Sequence, residues 1–186
     1  MDVKQAIKER RAYRSLEPVK ITEKLVRDLA ESARLAPSCF NNQPWRFVFV
    51  YEPEALKSMH SALSRGNEWA LAGSMIIAVF SKKEFDCVIK SREYYLFGLG
   101  MATAFIILRA TELGLVAHPI AGYDEEKVKD VLNIPYEMTV ITLVIVGKHS
   151  PTISPVLSDK QVEAERKRPE RLPLEKFLLK AGDVSI

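Results

Sequence analysis

The chain has little of what usually announces a chemistry. Cysteine occurs twice, at Cys39 and Cys87, far apart and with no CxxC pair, which argues against a disulfide framework or a zinc cluster. Two reduced cysteines in a cytoplasmic protein are the ordinary expectation. The three histidines, His60, His118 and His149, lack a ligand spacing such as HxxxH, so no metal site is expected. Charge of one sign is also scarce: 27 Lys and Arg against 24 Asp and Glu leave +3 at pH 7. That is too little to argue for nucleic acid or a membrane as partner. The longest uncharged run, 94–108, has 15 residues, short of the roughly 20 that a membrane span needs. The first residues, MDVKQAIKERR, lack the apolar core of a signal peptide. There is no GxxxxGK[ST] phosphate loop, no GxSxG elbow and no HExxH helix. GLGMAT, 98–103, starts like a dinucleotide loop, but it lies inside a helical pattern and Thr103 replaces the third glycine. Close helix packing explains it better.

What is there is ordinary globular material. The chain has 186 residues, 47 % of them hydrophobic and 27 % charged, which fits one domain over 1–186. Residues 2–11 space Val3, Ala6 and Ile7 as a short helix. Thr22 caps a second helix with Leu25, Val26, Leu29, Ala33 and Ala36 on one stripe, and Pro37 ends it. Residues 45–51 and 74–80 read as strands, with a helix opened by Pro53 between them. A long helix, about 91–113, is apolar nearly all round, with Gly114 as its C-cap. Val116 starts a short strand, Asp124 caps a helix through Leu132, and 139–146 (TVITLVIV) is a third clear strand. After Gly147 the periodicity fades: 148–186 reads as an extended C-terminal arm with a short helix near 174–180. Strands and helices mix without βαβ alternation, which points to the α+β class.

Four stretches carry possible chemistry, and each also has a plain structural reading. Arg10, Arg11 and Arg14 could form guanidinium forks for a phosphate, or a solvated cationic helix end. Pro37, Ser38, Cys39, Asn41 and Gln43 offer small side chains and amides suited to a flat heterocycle, or form a turn-rich loop. Pro119, Ile120, Ala121 and Gly122 permit close backbone approach to a ligand, or simply connect a strand to a helix. Arg171 ends a basic stretch that could be a surface tail.

Their order along the chain resembles the FMN-dependent nitroreductase family. RRAYR at 10–14 is similar to that family's RRSxR, and APSCFNNQPWRF at 36–47 to its APSxxNxQPW-aromatic motif. LGLVAHPIAGYD at 113–124 and RLPLE at 171–175 complete the match. The resemblance implies a three-layer α/β sandwich with a mixed, mainly antiparallel sheet, and a homodimer with FMN at an interface centred on the long helix. Arg10 and Arg171 would hold the phosphate, with Arg11 and the Ala12 backbone supporting them. Arg14 would face the N1–C2=O edge of the ring. Pro37, Ser38 and Cys39 of the second subunit would lie along the ring, with Asn41 and Gln43 bonding it or fixing the loop. The backbone N–H of Ala121 or Gly122 would point at N5, with Pro119 and Ile120 shaping that segment, and Asn67 would be a further ring contact. Ala12 stands where the family commonly has Ser, and Pro169 where relatives carry Lys, so Lys167 or Arg168 would substitute.

The implied activity is hydride transfer from NADH or NADPH to flavin N5 and on to a nitroaromatic, quinone or similar small acceptor, by ping-pong kinetics with no side-chain acid or base. Phe40, Trp69 and Tyr123 are candidate walls of the pocket. The same fold also supports dehalogenation, flavin fragmentation or substrate dehydrogenation, and a non-enzymatic flavin-binding dimer is a further alternative.

Overall fold

The architecture is organised around one long strand. A computed structural model describes residues 1–182; residues 183–186, the end of the expected arm, lie outside the described residues. The strand β7 (Thr139–His149) pairs with β3 (Met75–Ser81), β6 (Val116–Ile120) and β1 (Leu16–Glu17), and β3 pairs onward with β2 (Arg46–Val50). A separate hairpin joins β4 (Val88–Ile89) to β5 (Arg92–Glu93). Every strand pairing among the described residues is antiparallel, so the parallel component of the expected mixed sheet is not seen within one chain.

The period-two alternation of strands sorts the core into two halves. Met75, Ile77, Val79, Val144 and Val146 point to one face of the sheet, where they meet Leu29, Ala33, Leu99, Ala102 and Ile106. Those residues come from α2 (Glu23–Arg34) and α4 (Tyr94–Glu112). Ile76, Ala78, Leu143 and Ile145 point the other way, onto Met59, Trp69 and Val128. That layer is built by α3 (Pro53–His60), the 3-10 turn 68–72 and α5 (Glu125–Leu132). The result is helices, sheet, helices, as the α+β reading expects.

Local chemistry sets the ends of these helices. The Thr22 hydroxyl accepts from the Leu25 N–H at 3.2 Å, and Asp124 does the same for Lys127 at 3.1 Å. Pro53 sits in the first turn of α3. Gly114 adopts φ +74 just past α4, the left-handed cap that suits glycine. The arm differs from its expected extended form. It contains α6 (Asp159–Arg166), opened by a reciprocal cap between Ser158 and Gln161. The expected helix near 174–180 is only a 3-10 turn, Leu174–Lys176. Its apolar residues Leu174, Phe177 and Leu178 are exposed, so no packing sustains a longer helix.

Candidate functional site

The first helix, α1 (Val3–Glu9), stops at Arg10, whose backbone leaves the helical region. The chain then runs extended through Arg14 beside α6 and the start of the arm. One Nη of Arg168 donates to the carbonyls of Lys8 and Arg10, each at 2.7 Å, satisfying acceptors left free at the end of α1. Arg11 donates to the Ala164 carbonyl at 2.7 Å. Arg10, Arg11, Arg14, Arg168, Arg171 and Lys160 therefore converge on a cavity of about 530 Å³, with Ala12 also in its wall and no acidic side chain lining it. Burial, then the like charges of Arg168, Arg171 and Arg11, hold Arg10 below the usual arginine range. Six cations line one cavity whose wall carries no acidic side chain, although Glu165 behind the wall acts on Arg14, so the cavity itself is short of negative charge.

Behind the cavity lies a support that the sequence did not reveal. Glu165 of α6 is only 8 % exposed. Its carboxylate accepts from the backbone N–H groups of Arg14 (2.6 Å) and Ser15 (3.2 Å). The Ser158–Gln161 cap was the signal that could have placed a helix there. The Arg14 guanidinium lies 5.8 Å from the Trp69 ring centre, and Trp69 in turn stacks on His118 at 4.6 Å. His118 Nδ1 faces the Tyr13 carbonyl at 3.1 Å, which places a proton on that nitrogen. Burial pushes the pKa of His118 down to about 4, so the ring is neutral near pH 7.

The same tryptophan links this group to the 119–122 segment. The Trp69 indole N–H donates to Asn67 Oδ1 at 3.2 Å, and Asn67 Nδ2 donates to the Gly122 carbonyl at 2.9 Å. A Cβ on Gly122 would lie 2.4 Å from that amide nitrogen, so a side chain here would push the Asn67 amide off the Gly122 carbonyl. Among the described residues, neither the Ala121 nor the Gly122 N–H donates a hydrogen bond within the protein. Pro119 and Ala121 are exposed, while Ile120 packs into the core. Trp69 is buried, and Tyr123 is partly buried with its hydroxyl donating to the Val140 carbonyl at 2.7 Å. Phe40 is 88 % exposed.

The third group stands apart within one chain. Pro37, Ser38, Cys39, Asn41 and Gln43 form the loop between α2 and β2, tightened by a 3-10 turn at 39–41. Ser38 Oγ accepts from the Gln43 N–H at 2.9 Å, and Gln43 Nε2 donates to the Asn41 carbonyl at 3.1 Å. The Asn41 and Gln43 side chains are exposed. Asn42 Nδ2 reaches Asp86 Oδ1 at 3.2 Å. Among the described residues, no hydrogen bond joins this loop to the arginine cluster. One sequence expectation is overturned here. Cys39 and Cys87, read as two separate reduced thiols, are joined in a disulfide with Cα atoms 6.1 Å apart. A separation of 48 residues along the chain hid a contact that the fold creates. Cys39, Asp86 and Cys87 each offer one ligand atom within 4.8 Å of the others, but both sulfurs are occupied by their mutual bond.

Comparison with known proteins places the chain in a family. The model of the Nitroreductase family matches residues 7–148. A NADH dehydrogenase of Thermus thermophilus is 25 % identical, covering 96 % of this chain and 96 % of that protein. Protein DrgA of Synechocystis is 24 % identical, covering 96 % and 95 %. Among solved structures, an oxidoreductase containing FMN superposes with a TM-score of 0.83 at 25 % identity, covering 100 % of this chain and 93 % of that one. A nitroreductase family protein from Clostridium novyi NT gives 0.75 at 26 % identity, covering 81 % and 87 %. The matched span covers three of the four stretches that carry the chemistry and most of the sheet: this chain belongs to the nitroreductase family.

Proposed function

We propose that the protein is an NAD(P)H-dependent FMN oxidoreductase acting as a homodimer in the cytoplasm, where reduced nicotinamide is made. The observation that carries this reading is the acid-free cavity, lined by Arg10, Arg11, Arg14, Lys160, Arg168 and Arg171 from both ends of the chain. A phosphate monoester supplies the charge that this cavity is short of, through charge-assisted, two-point contacts. FMN held there would supply the redox chemistry, hydride acceptance at N5 from NADH or NADPH and its passage to a small acceptor, a nitroaromatic or quinone, in ping-pong turnover.

The protein's own residues bind and orient. Arg10 and Arg171 hold the phosphate, with Arg11 and the Ala12 backbone beside them. Arg168, already tied to the end of α1, holds Arg10 in place and fills the role left by Pro169. Arg14 sets a fixed cation against the ring edge where negative charge grows on reduction. The free N–H groups of Ala121 and Gly122 are the donors for N5, on a segment that Pro119 and Ile120 start and Asn67 braces through the Gly122 carbonyl. Asn67 therefore acts by positioning, since both its amide atoms are engaged inside the protein. Pro37, Ser38, Cys39, Asn41 and Gln43 of the other subunit border the ring.

The purified protein reconstituted with FMN should show a flavin spectrum that bleaches under anaerobic NADH or NADPH and returns on adding a quinone. Arg10→Ala and Arg171→Ala should each weaken FMN binding by about 10- to 100-fold, the loss of one charge-assisted contact, as read by fluorescence titration. A protein whose added flavin stays unbound, or stays oxidised with both nicotinamides, would sink the reading.

A further inference from the structure

We propose that Cys39, Cys87 and Asp86 form a reversible thiol–disulfide site that latches the 37–44 loop, opened by low-molecular-weight thiols and closed by the matching disulfides. The two cysteines come from separate elements. Cys39 lies in the 3-10 turn after α2, and Cys87 between the turn 83–85 and β4. Their Cα spacing of 6.1 Å lies within the range of ordinary disulfides. Both are half-buried within the single chain, which leaves part of each residue open to an incoming thiolate.

Asp86 is the observation that separates a working couple from a static staple. Its Oδ1 accepts from the Cys87 N–H at 2.8 Å and from Asn42 Nδ2 at 3.2 Å. Its Oδ2 is buried and has no partner. Leaving a buried acceptor unsatisfied is unfavourable. A disulfide has no proton to offer, but a thiol does, and both sulfurs lie within 4.8 Å of one carboxylate oxygen of Asp86, close enough for a small side-chain rotation to bring an S–H to the other. The dithiol state supplies the missing donor as S–H to Oδ2. Asp86 therefore favours the reduced form, while the sulfur pair itself is already placed for the oxidised one.

The loop supplies the mechanical side. Phe40, Asn41 and Gln43 adopt φ of 47, 58 and 51, a region that residues other than glycine enter at some cost. Such backbone persists only where its surroundings over-determine it, and the bond to Cys87 is one of those constraints. In the chemical step, a thiolate RS⁻ attacks one cysteine sulfur and the S–S bond breaks. The displaced cysteine leaves as thiolate, takes a proton from solvent and keeps it as an S–H that hydrogen-bonds to Asp86 Oδ2; the second cysteine is protonated by solvent in the same way when it is released. A second thiolate releases the first cysteine from the mixed disulfide, as RSSR. Overall, two RSH are oxidised to RSSR and the protein gains two electrons and two protons. The consequence for ring access rests on the flavin reading, because Ser38, Asn41 and Gln43 share this loop; the exchange itself does not.

The test equilibrates the full-length protein across reduced and oxidised glutathione ratios, quenches with an alkylating agent and reads the labels by intact mass. The expected result is a reversible passage between no label and two labels, with Cys39→Ser and Cys87→Ser each carrying one label and forming no internal bond. Asp86→Asn should shift the equilibrium roughly tenfold toward the disulfide, about one hydrogen bond to a charged acceptor. Amides 38–43 should exchange hydrogen at least tenfold faster in the dithiol form. Two labels at every ratio, no label at any ratio, an unchanged equilibrium in Asp86→Asn, or equal exchange in both states would each overturn the proposal. None of these readouts needs flavin or turnover, so a failed flavin reading would remain distinguishable.

Discussion

His118 shows how a residue that invites a catalytic reading is explained by burial. It is pressed against Trp69 and the Tyr13 carbonyl, and its pKa falls to about 4 because a charged ring would be desolvated there. The unfolded imidazole takes up a proton near 6.5, but the folded one does so only near 4. Between those values the unfolded state binds more protons, so stability is full above pH 6.5 and is lost as pH falls toward 4. The loss attributable to His118 is on the order of 3 kcal/mol, from about 1.4 kcal/mol per pKa unit. Burial lowers the pKa of His60 as well, so its contribution has the same sign. His118→Phe isolates the larger one: urea unfolding from pH 7 to 4 should show a flatter pH dependence in the variant than in the parent. Equal slopes would show that the buried ring does not govern this window.

At the scale of elements, legibility followed packing. β3 and β7 were readable because alternate residues meet two different cores, and α2 and α5 because Thr22 and Asp124 cap them. β1 was not readable: two residues are strand only because they pair with Lys148 and His149, which no local pattern encodes. α6 was missed because charge and proline masked its Ser158–Gln161 cap, and Glu165 was missed with it. The arginines and the 119–122 segment were legible by motif order, but Trp69 and Asn67, which tie them together, act through contacts distant in sequence. Glu165 gives this a measurable form. Glu165→Ala strands the N–H groups of Arg14 and Ser15 and should cost about 2–3 kcal/mol. For a chain of this size that is a melting-point drop of roughly 4 to 12 °C, with weaker FMN binding because Arg14 loses its anchor. An unchanged melting temperature would mean that α6 is not the clamp on the arginine segment.

The whole molecule carries a surface that a single chain leaves uncovered. α4 buries Leu99, Ala102, Ile106 and Ala110 against the sheet, but its outer face exposes Leu96, Phe97 (64 %) and Phe105. Beside it, a cavity of about 380 Å³ is lined by Val3, Leu35, Phe105 and Leu108. The arm adds Leu172, Leu174, Phe177, Leu178 and Leu179, all exposed. Exposed apolar residues clustered in this way are what an interface would cover, and a second copy would offer a matching apolar face under two-fold symmetry. On the proposed homodimer reading, the 37–43 loop, which stays apart from the arginine cluster within one chain, would meet the cluster of its partner. We therefore expect a dimer at micromolar concentration, with an interface above roughly 2,000 Å². The double substitution Phe97→Glu and Phe105→Glu places like charges across that face and should yield monomers by sedimentation velocity. Those monomers should bind inorganic phosphate at the arginine cavity, which lies within one chain, but bind FMN at least tenfold more weakly, since the ring loses its second wall. A parent protein that sediments as a monomer would remove the dimer. Monomers that keep full FMN affinity would confine the site to a single chain.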